Sequence, residues 1–408
     1  MMESKPLLAK YTEFPAVADE PAPKEGTIFT SFLGLMSTMA GACILTLPST
    51  MSAATVWPAS LLLLALAGLA YAGCFCLCVA CDGSGGAESF ESLIQRLRHP
   101  VQLWLVRTLL MMLLFGAIIM YIVIAIDMLS PFVPLSRFVL GGLFAAVCLP
   151  LCLPDTVTAL RYTNSVVVAC VLYIVVVLTW QATTQPWPEP KPSNSSIFGG
   201  FAYTVPIQAL SYCMHLNVPQ VYNELGHKQS MPTVLVLVLG GGFGLYLTSA
   251  IAGYVCFNGT PPGDILNGFA NDNASINGVR LALGLCMVCK TPVTYQPLRD
   301  VLESLVHDYQ VPKMPFRVAV TSVFLITSWI LAVTAKDVSY VMDWVGATAG
   351  IMLSFAFPGL FLWELLDNDD HHTFSSAQVL RYRTLAAFMM ATGVTLSIIS
   401  IAKIIWFD

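Results

Sequence analysis

Apolar stretches of about 20 residues recur along most of this chain, and nothing else in the sequence narrows its fold as far. A helix of that length matches the roughly 30 Å hydrocarbon core of a bilayer. Backbone groups in lipid must find partners within the protein, which makes helices the expected form. Such runs fall near 27–49, 55–80, 102–126, 137–153, 159–181, 197–221, 231–257, 276–297, 316–335, 337–365 and 383–407. That is about eleven spans. The fourth is short, and Pro292 and Pro297 are expected to break the eighth. Only 11% of residues are charged, against about 25% in soluble domains. With 56% hydrophobic residues and a mean hydropathy of +0.73, the expected class is an all-α polytopic membrane protein.

A net charge of −5 gives no reason to expect a nucleic-acid partner. The first 26 residues are polar and proline-rich, unlike a signal peptide, and read as a disordered cytosolic tail ahead of a transmembrane domain over 27–408. With that tail in the cytosol, Arg96, Arg98, Lys228, Arg299, Lys313, Arg317, Arg381 and Arg383 fall inside. Arg137, Lys191, Arg280 and Lys336 fall outside, which obeys the positive-inside bias. An odd span count then places the C-terminus outside or in a lumen. Sequons at Asn194, Asn258 and Asn273 all lie on that outer side, where glycosylation occurs. The 12 cysteines lie mostly within spans, so no disulfide framework is expected. Cys74, Cys76 and Cys78 point to different helix faces and read as packing residues rather than a metal site.

Two spans run against the rest. In "TMAGACILTLPST", residues 38–50, glycine interrupts an uncharged run and Pro48 follows. In "PIQALSYCMHLNVPQVYNEL", residues 206–225, an apolar helix carries Ser211, Tyr212, His215 and Asn217 together with Pro206 and Pro219. These are the first and sixth spans. Broken helices at matching places in two halves point to a transporter built from inverted repeats, here 27–181 and 197–365, with 383–407 as an added helix. Unwound backbone at membrane depth is tolerable where it lines a cavity. A half-helix beginning at Gly41–Ala42 would offer amides to a carboxylate, and carbonyls of both breaks would take an ammonium. The competing reading of Gly41 is close helix packing.

At this point the residues resemble a known family. "MAGACILTLP" is similar to the G-x-G-I-L-x-L-P signature of the amino acid/auxin permease family. "SYCMHLNVPQVYNEL" resembles the sixth-helix pattern of its sodium-coupled neutral amino acid transporter group, and "LPLCLPDTVTALRYTNSV" that group's fourth-to-fifth link. "VRLALGLCMVCKTPVTYQPLRDVLESL" and "GATAGIMLSFAFPGLFLWEL" are similar to its eighth and tenth helices. The resemblance implies a bacterial leucine-transporter-like fold and secondary amino acid transport, with no cofactor and no catalytic residues. The implied substrate contacts are Thr38, Met39, Ala40, Gly41, Ala42, Cys43, Ser211 and Tyr212.

Departures from the pattern bear on ion coupling. Cys43 stands at the signature's second glycine, and Ser37 where sodium-coupled members carry asparagine. Lys290 stands two residues before the eighth-helix proline, where those members carry a hydroxyl. A fixed ammonium there argues against sodium coupling. Snorkelling or pairing with an acid would explain Lys290 without a transport role; the functional readings are a built-in substitute for sodium or a proton carrier. His215 reads equally as a pH-sensing residue or a hydrogen-bonded structural one. Asp343 is expected to pair with Lys336 or line an outer vestibule.

The tail adds an address. "ESKPLL" fits an acidic dileucine sorting pattern through Glu3, Leu7 and Leu8, which adaptor proteins would read, and "YTEF" fits a tyrosine pattern. Both favour an endosomal, lysosomal or vacuolar membrane, with the plasma membrane as the alternative. The expected function is sodium-independent, proton-coupled amino acid transport. An amino acid sensor at such a membrane is the second reading, and a membrane-embedded enzyme the weakest.

Overall fold

The computed structural model describes residues 26–87, 89–97, 99–153, 160–189, 197–306, 313–334, 338–367 and 374–407. Glu3, Leu7, Leu8, Asn194, Lys191 and Lys336 lie outside them. Among the described residues every regular element is helical, apart from an isolated bridge between Gly26 and Leu225.

The chain begins with a broken pair, α1 (Ile28–Met39) and α2 (Leu47–Ala53), separated by a 310 turn over Ala42–Leu45 and bent by 56°. A capping box at Thr27 and Thr30 starts α1. Pro48 sits in the first turn of α2, where its missing N–H costs nothing. The long α3 (Val56–Gly83) is followed by the short α4 (Phe90–Ile94), itself opened by a Ser89–Ser92 capping box. Next come α5 (Pro100–Leu129), α6 (Arg137–Cys152) and α7 (Leu160–Thr183). A second broken pair, α8 (Ile197–Ser211) and α9 (Val218–Glu224), has a 310 turn at His215–Asn217 between its halves. The remainder comprises α10 (Met231–Cys256), α11 (Ala274–Val306), α12 (Lys313–Thr334), α13 (Val338–Val345), α14 (Phe357–Asp367) and α15 (Ser376–Phe407).

Eight described helical segments are long and apolar enough to cross a membrane, or nine with the bent α1–α2 pair counted as one span. The two further spans expected from sequence correspond to α6, with only 16 residues, and to the broken α8–α9 pair. Pro292 and Pro297 do not break the eighth span: α11 runs unbroken through both. Neighbouring helices pack around α11, and prolines in such helices are tolerated when nearby groups take up the freed carbonyls. Between α13 and α14 the helix widens into π segments at Gly346–Gly350 and Met352–Ala356, a local form that sequence periodicity does not reveal.

Helix α11 is central, packing on α5, α6, α7 and α1, while α10 packs on α7, α1, α2 and α3. Outward faces carry Leu61, Val236, Val323 and Ile398, the surface that lipid requires. Exposed Trp57, Trp104 and Trp180 sit close to helix ends, as interfacial indoles do. All twelve cysteines are free thiols.

The face where α1 begins is tied by charge. Asp82 of α3 accepts from Tyr222 at 2.5 Å and pairs with Lys228 at 2.9 Å. Glu91 of α4 pairs with Arg107 of α5, both largely buried, and Arg317 pairs with Glu303. On the same face Gly26 N–H donates to Glu224 O at 3.1 Å, and Gly226 N–H donates to Gly26 O at 2.9 Å.

Candidate functional site

At the first break the chain leaves α1 at Met39, passes through extended Ala40 and winds into one 310 turn. The start of that turn replaces the half-helix expected at Gly41–Ala42, and α2 proper begins only at Leu47. At position 41 the Lys290 side chain takes the space that a Cβ would use. A Cβ there would fall 2.7 Å from Lys290 Nζ and 3.3 Å from its Cδ. Lys290 therefore lies directly across the break, reaching in from α11.

Its Nζ donates to Thr38 O at 3.0 Å and Ala40 O at 2.7 Å. Between those two carbonyls, Met39 O accepts from the Tyr246 hydroxyl of α10 at 2.8 Å. The same hydroxyl stands 2.7 Å from Ser211 O at the end of α8. One phenol proton is thus shared by the last carbonyls of both broken helices. Asn217 Nδ2 crosses the same gap to Thr38 Oγ1 at 2.9 Å. Side chains accordingly satisfy the backbone groups that unwinding exposes.

Beside the lysine lies a cavity with about 650 Å3 of empty space, part of it open to solvent. Apolar groups dominate its wall, including Met39, Leu113, Leu114, Ala117, Met120, Leu210 and Leu216. The polar ones are Thr38, Tyr121, Asn217, Lys290 and Thr294, with the thiols of Cys43 and Cys213. No carboxylate lines it among the described residues. Lys290 Nζ lies 5.8 Å from the Tyr121 ring centroid, a cation–π distance. A second cavity of about 330 Å3 shares Leu216, Asn217 and Pro297 with the first. It leads toward Glu91 and Gln220, on the face where α1 begins.

Residues 24–406 match the profile of a family described as "Transmembrane amino acid transporter protein". The chain belongs to that family. Its members are transporters, not enzymes. Sodium-coupled neutral amino acid transporter 4 of Pongo abelii is similar, at 26% identity over 207 residues, covering 48% of this chain and 37% of that protein. Sodium-coupled neutral amino acid symporter 2 of Danio rerio is 23% identical over 278 residues, with coverage of 61% and 55%. Sodium-coupled neutral amino acid transporter 7 of Xenopus laevis is 26% identical over 249 residues, with coverage of 58% and 55%. The chain thus spans about half or less of the length of these relatives.

In this family member the residues singled out by sequence separate into two groups. Thr38, Met39, Cys43 and Lys290 meet at the cavity. Ala40 and Ser211 contribute carbonyls beside it, and of Ala42 only the backbone is described. Tyr212 is fully buried, stacked edge-on against Tyr246 at 5.6 Å, and its hydroxyl has no partner among the described residues. Ser37 turns the other way, toward Asn164 Oδ1 at 2.7 Å. His215 packs under α3, with Nε2 3.2 Å from Ala70 O, and its ring lies edge-on to Phe355. Asp343 faces Lys403 of α15 at 3.7 Å, and Lys336, the partner expected from sequence, lies outside the described residues. Lys403 also lies 5.1 Å from the Tyr203 ring, and Tyr203 hydrogen-bonds Ser49 of α2 at 2.9 Å. Asn258 is exposed in a turn, while Asn273 Oδ1 accepts from Ser275 N–H at 3.1 Å at the start of α11.

Sequence reasoning missed Tyr246, Tyr121 and Thr294. A tyrosine in the apolar run "GGGFGLYLTSA" was a usable signal, since a buried phenol needs a partner.

Proposed function

We propose that this protein moves amino acids across a membrane by alternating access, independently of sodium and coupled to protons through Lys290. The observation that carries this is the position of Lys290 Nζ on the carbonyls of Thr38 and Ala40. Carbonyls freed by helix breakage are the ligands a sodium ion would use, and here a fixed side chain holds them. As a neutral amine, Lys290 has two N–H groups for those two carbonyls. Proton uptake adds a third donor and a positive charge at the cavity wall, so loading a proton and loading a substrate become coupled events.

Two inverted repeats, 27–181 and 197–365, would place this site at their interface, with the tail face cytosolic and Asn258 and Asn273 outside or in a lumen. The cavity chain from Lys290 to Glu91 then corresponds to an inward path. The acidic dileucine of Glu3, Leu7 and Leu8 supports endosomal, lysosomal or vacuolar delivery by adaptor proteins.

The test is uptake of radiolabelled neutral, basic and acidic amino acids into proteoliposomes under imposed sodium or proton gradients, with Lys290→Thr alongside. Flux that follows protons and ignores sodium is expected. Sodium-driven flux in the parent protein would overturn the coupling assignment. Folded protein without flux of any amino acid would favour the sensor.

A further inference from the structure

The cavity carries a positive side chain, and its carbonyls are already occupied. Thr38 O and Ala40 O accept from Lys290, and Met39 O and Ser211 O share the Tyr246 hydroxyl. The neighbouring carbonyls are engaged as well. Gly41 O accepts from Ile44 N–H at 3.1 Å, Ala209 O from Tyr212 N–H at 3.2 Å and Leu210 O from Cys213 N–H at 3.0 Å. Tyr212 O accepts from Met214 N–H at 2.9 Å. Each of these backbone oxygens, which would otherwise be free to receive a substrate's α-ammonium, therefore already has a donor.

Electrostatics points the same way. Lys290 is only 5% exposed, and the lining has no carboxylate among the described residues. An ionised amine in such a place is costly until a counter-charge arrives. A carboxylate supplies that counter-charge in full. A zwitterion brings a second ammonium along with its carboxylate and leaves the enclosed charge at plus one. A cationic amino acid raises it further. Met39, Leu113, Leu114, Ala117 and Met120 then offer a compact apolar chamber for the remainder of the ligand.

We propose that this pocket selects monocarboxylates with a compact aliphatic side chain, anchored on Lys290, and that an α-ammonium is not required for binding. The inference rests on the reading of this cavity as the transport site, and extends its ligand class to 2-hydroxy acids related to the neutral amino acids. Tyr121 and Asn217, at the same wall, serve whichever polar group the 2-position carries, hydroxyl or amine.

The experiment uses the full chain in proteoliposomes and compares three ligand pairs with matched side chains. They are L-alanine with L-lactate, L-valine with L-2-hydroxyisovalerate and L-leucine with L-2-hydroxyisocaproate. Within the best-carried pair the hydroxy acid is expected to match the amino acid within about tenfold in KM, whereas a site built around an ammonium would reject it by about 10,000-fold. L-Lysine is expected not to compete. Lys290→Gln keeps N–H donors for the two carbonyls but loses the charge. It is expected to weaken hydroxy-acid binding by about 30-fold or more, with size-exclusion behaviour confirming that the variant is folded. Amino acids carried with hydroxy acids refused would overturn this proposal and leave the transport reading standing. Hydroxy acids carried with amino acids refused would do the reverse. Refusal of both classes by folded protein would overturn both.

Discussion

The Tyr246 hydroxyl is the natural place to test how the two breaks are held. Tyr246→Phe removes one oxygen and keeps the ring, so the edge-on packing against Tyr212 at 5.6 Å survives. The lost oxygen stands 2.8 Å from Met39 O and 2.7 Å from Ser211 O, both buried among packed helices. A buried polar group deprived of its partner costs about 1–3 kcal/mol. Polar contacts between membrane helices average about 0.6 kcal/mol and reach about 1.7. Because one proton serves two acceptors that cannot rotate toward water, the expected loss is about 1–2 kcal/mol, at the upper end of the membrane range. Tyr212→Phe is the matched control. Its hydroxyl is buried without a partner among the described residues, so its removal should leave stability unchanged or raise it. Both variants would be unfolded in mixed micelles of rising SDS fraction, where midpoints convert to free energies if refolding is reversible. A Tyr246→Phe midpoint equal to the parent's, or an equal loss in Tyr212→Phe, would refute the bridging role.

Three further outcomes are expected. Gly73→Ala places a methyl 2.6 Å from Ser354 O and 2.8 Å from His215 Nε2; a backbone oxygen yields little, so a loss of about 1–3 kcal/mol is expected in the same assay. Arg107→Met strips Glu91 of its main partner and should cost about 3 kcal/mol, while adding Glu91→Gln should recover much of that; additive losses in the double variant would show that the pair does not couple. Expressed in glycosylating cells, the protein should run faster on gels after glycosidase treatment, and Asn258→Gln or Asn273→Gln should each remove part of that shift. A protein insensitive to glycosidase would count against the assigned outer side.

What the sequence made readable was local. The Gly41 interruption, the polar cluster from Ser211 to Asn217 and a lysine deep in an apolar run are each visible within one turn or two of helix. Their physical cost in lipid is high enough that each had to mean something. What stayed hidden was partnership across the chain. Lys290 meets Thr38 over 252 positions and Tyr246 meets Met39 over 207, and no periodicity reports such distances. Asp343 shows the same limit: Lys403 reaches it from α15, far along the chain. The unbroken path of α11 through Pro292 and Pro297 also lay beyond local rules, because surrounding helices decide whether a proline breaks a span or only bends it.

The pairing of Gly26 with Leu225 has a mechanical meaning. Helices α1 and α9 are fastened at one end by hydrogen bonds from the Gly26 and Gly226 N–H groups and at the other by Asn217 donating to Thr38. Any movement that separates α1 from α9 must therefore break three hydrogen bonds, two at one end of the pair and one at the other.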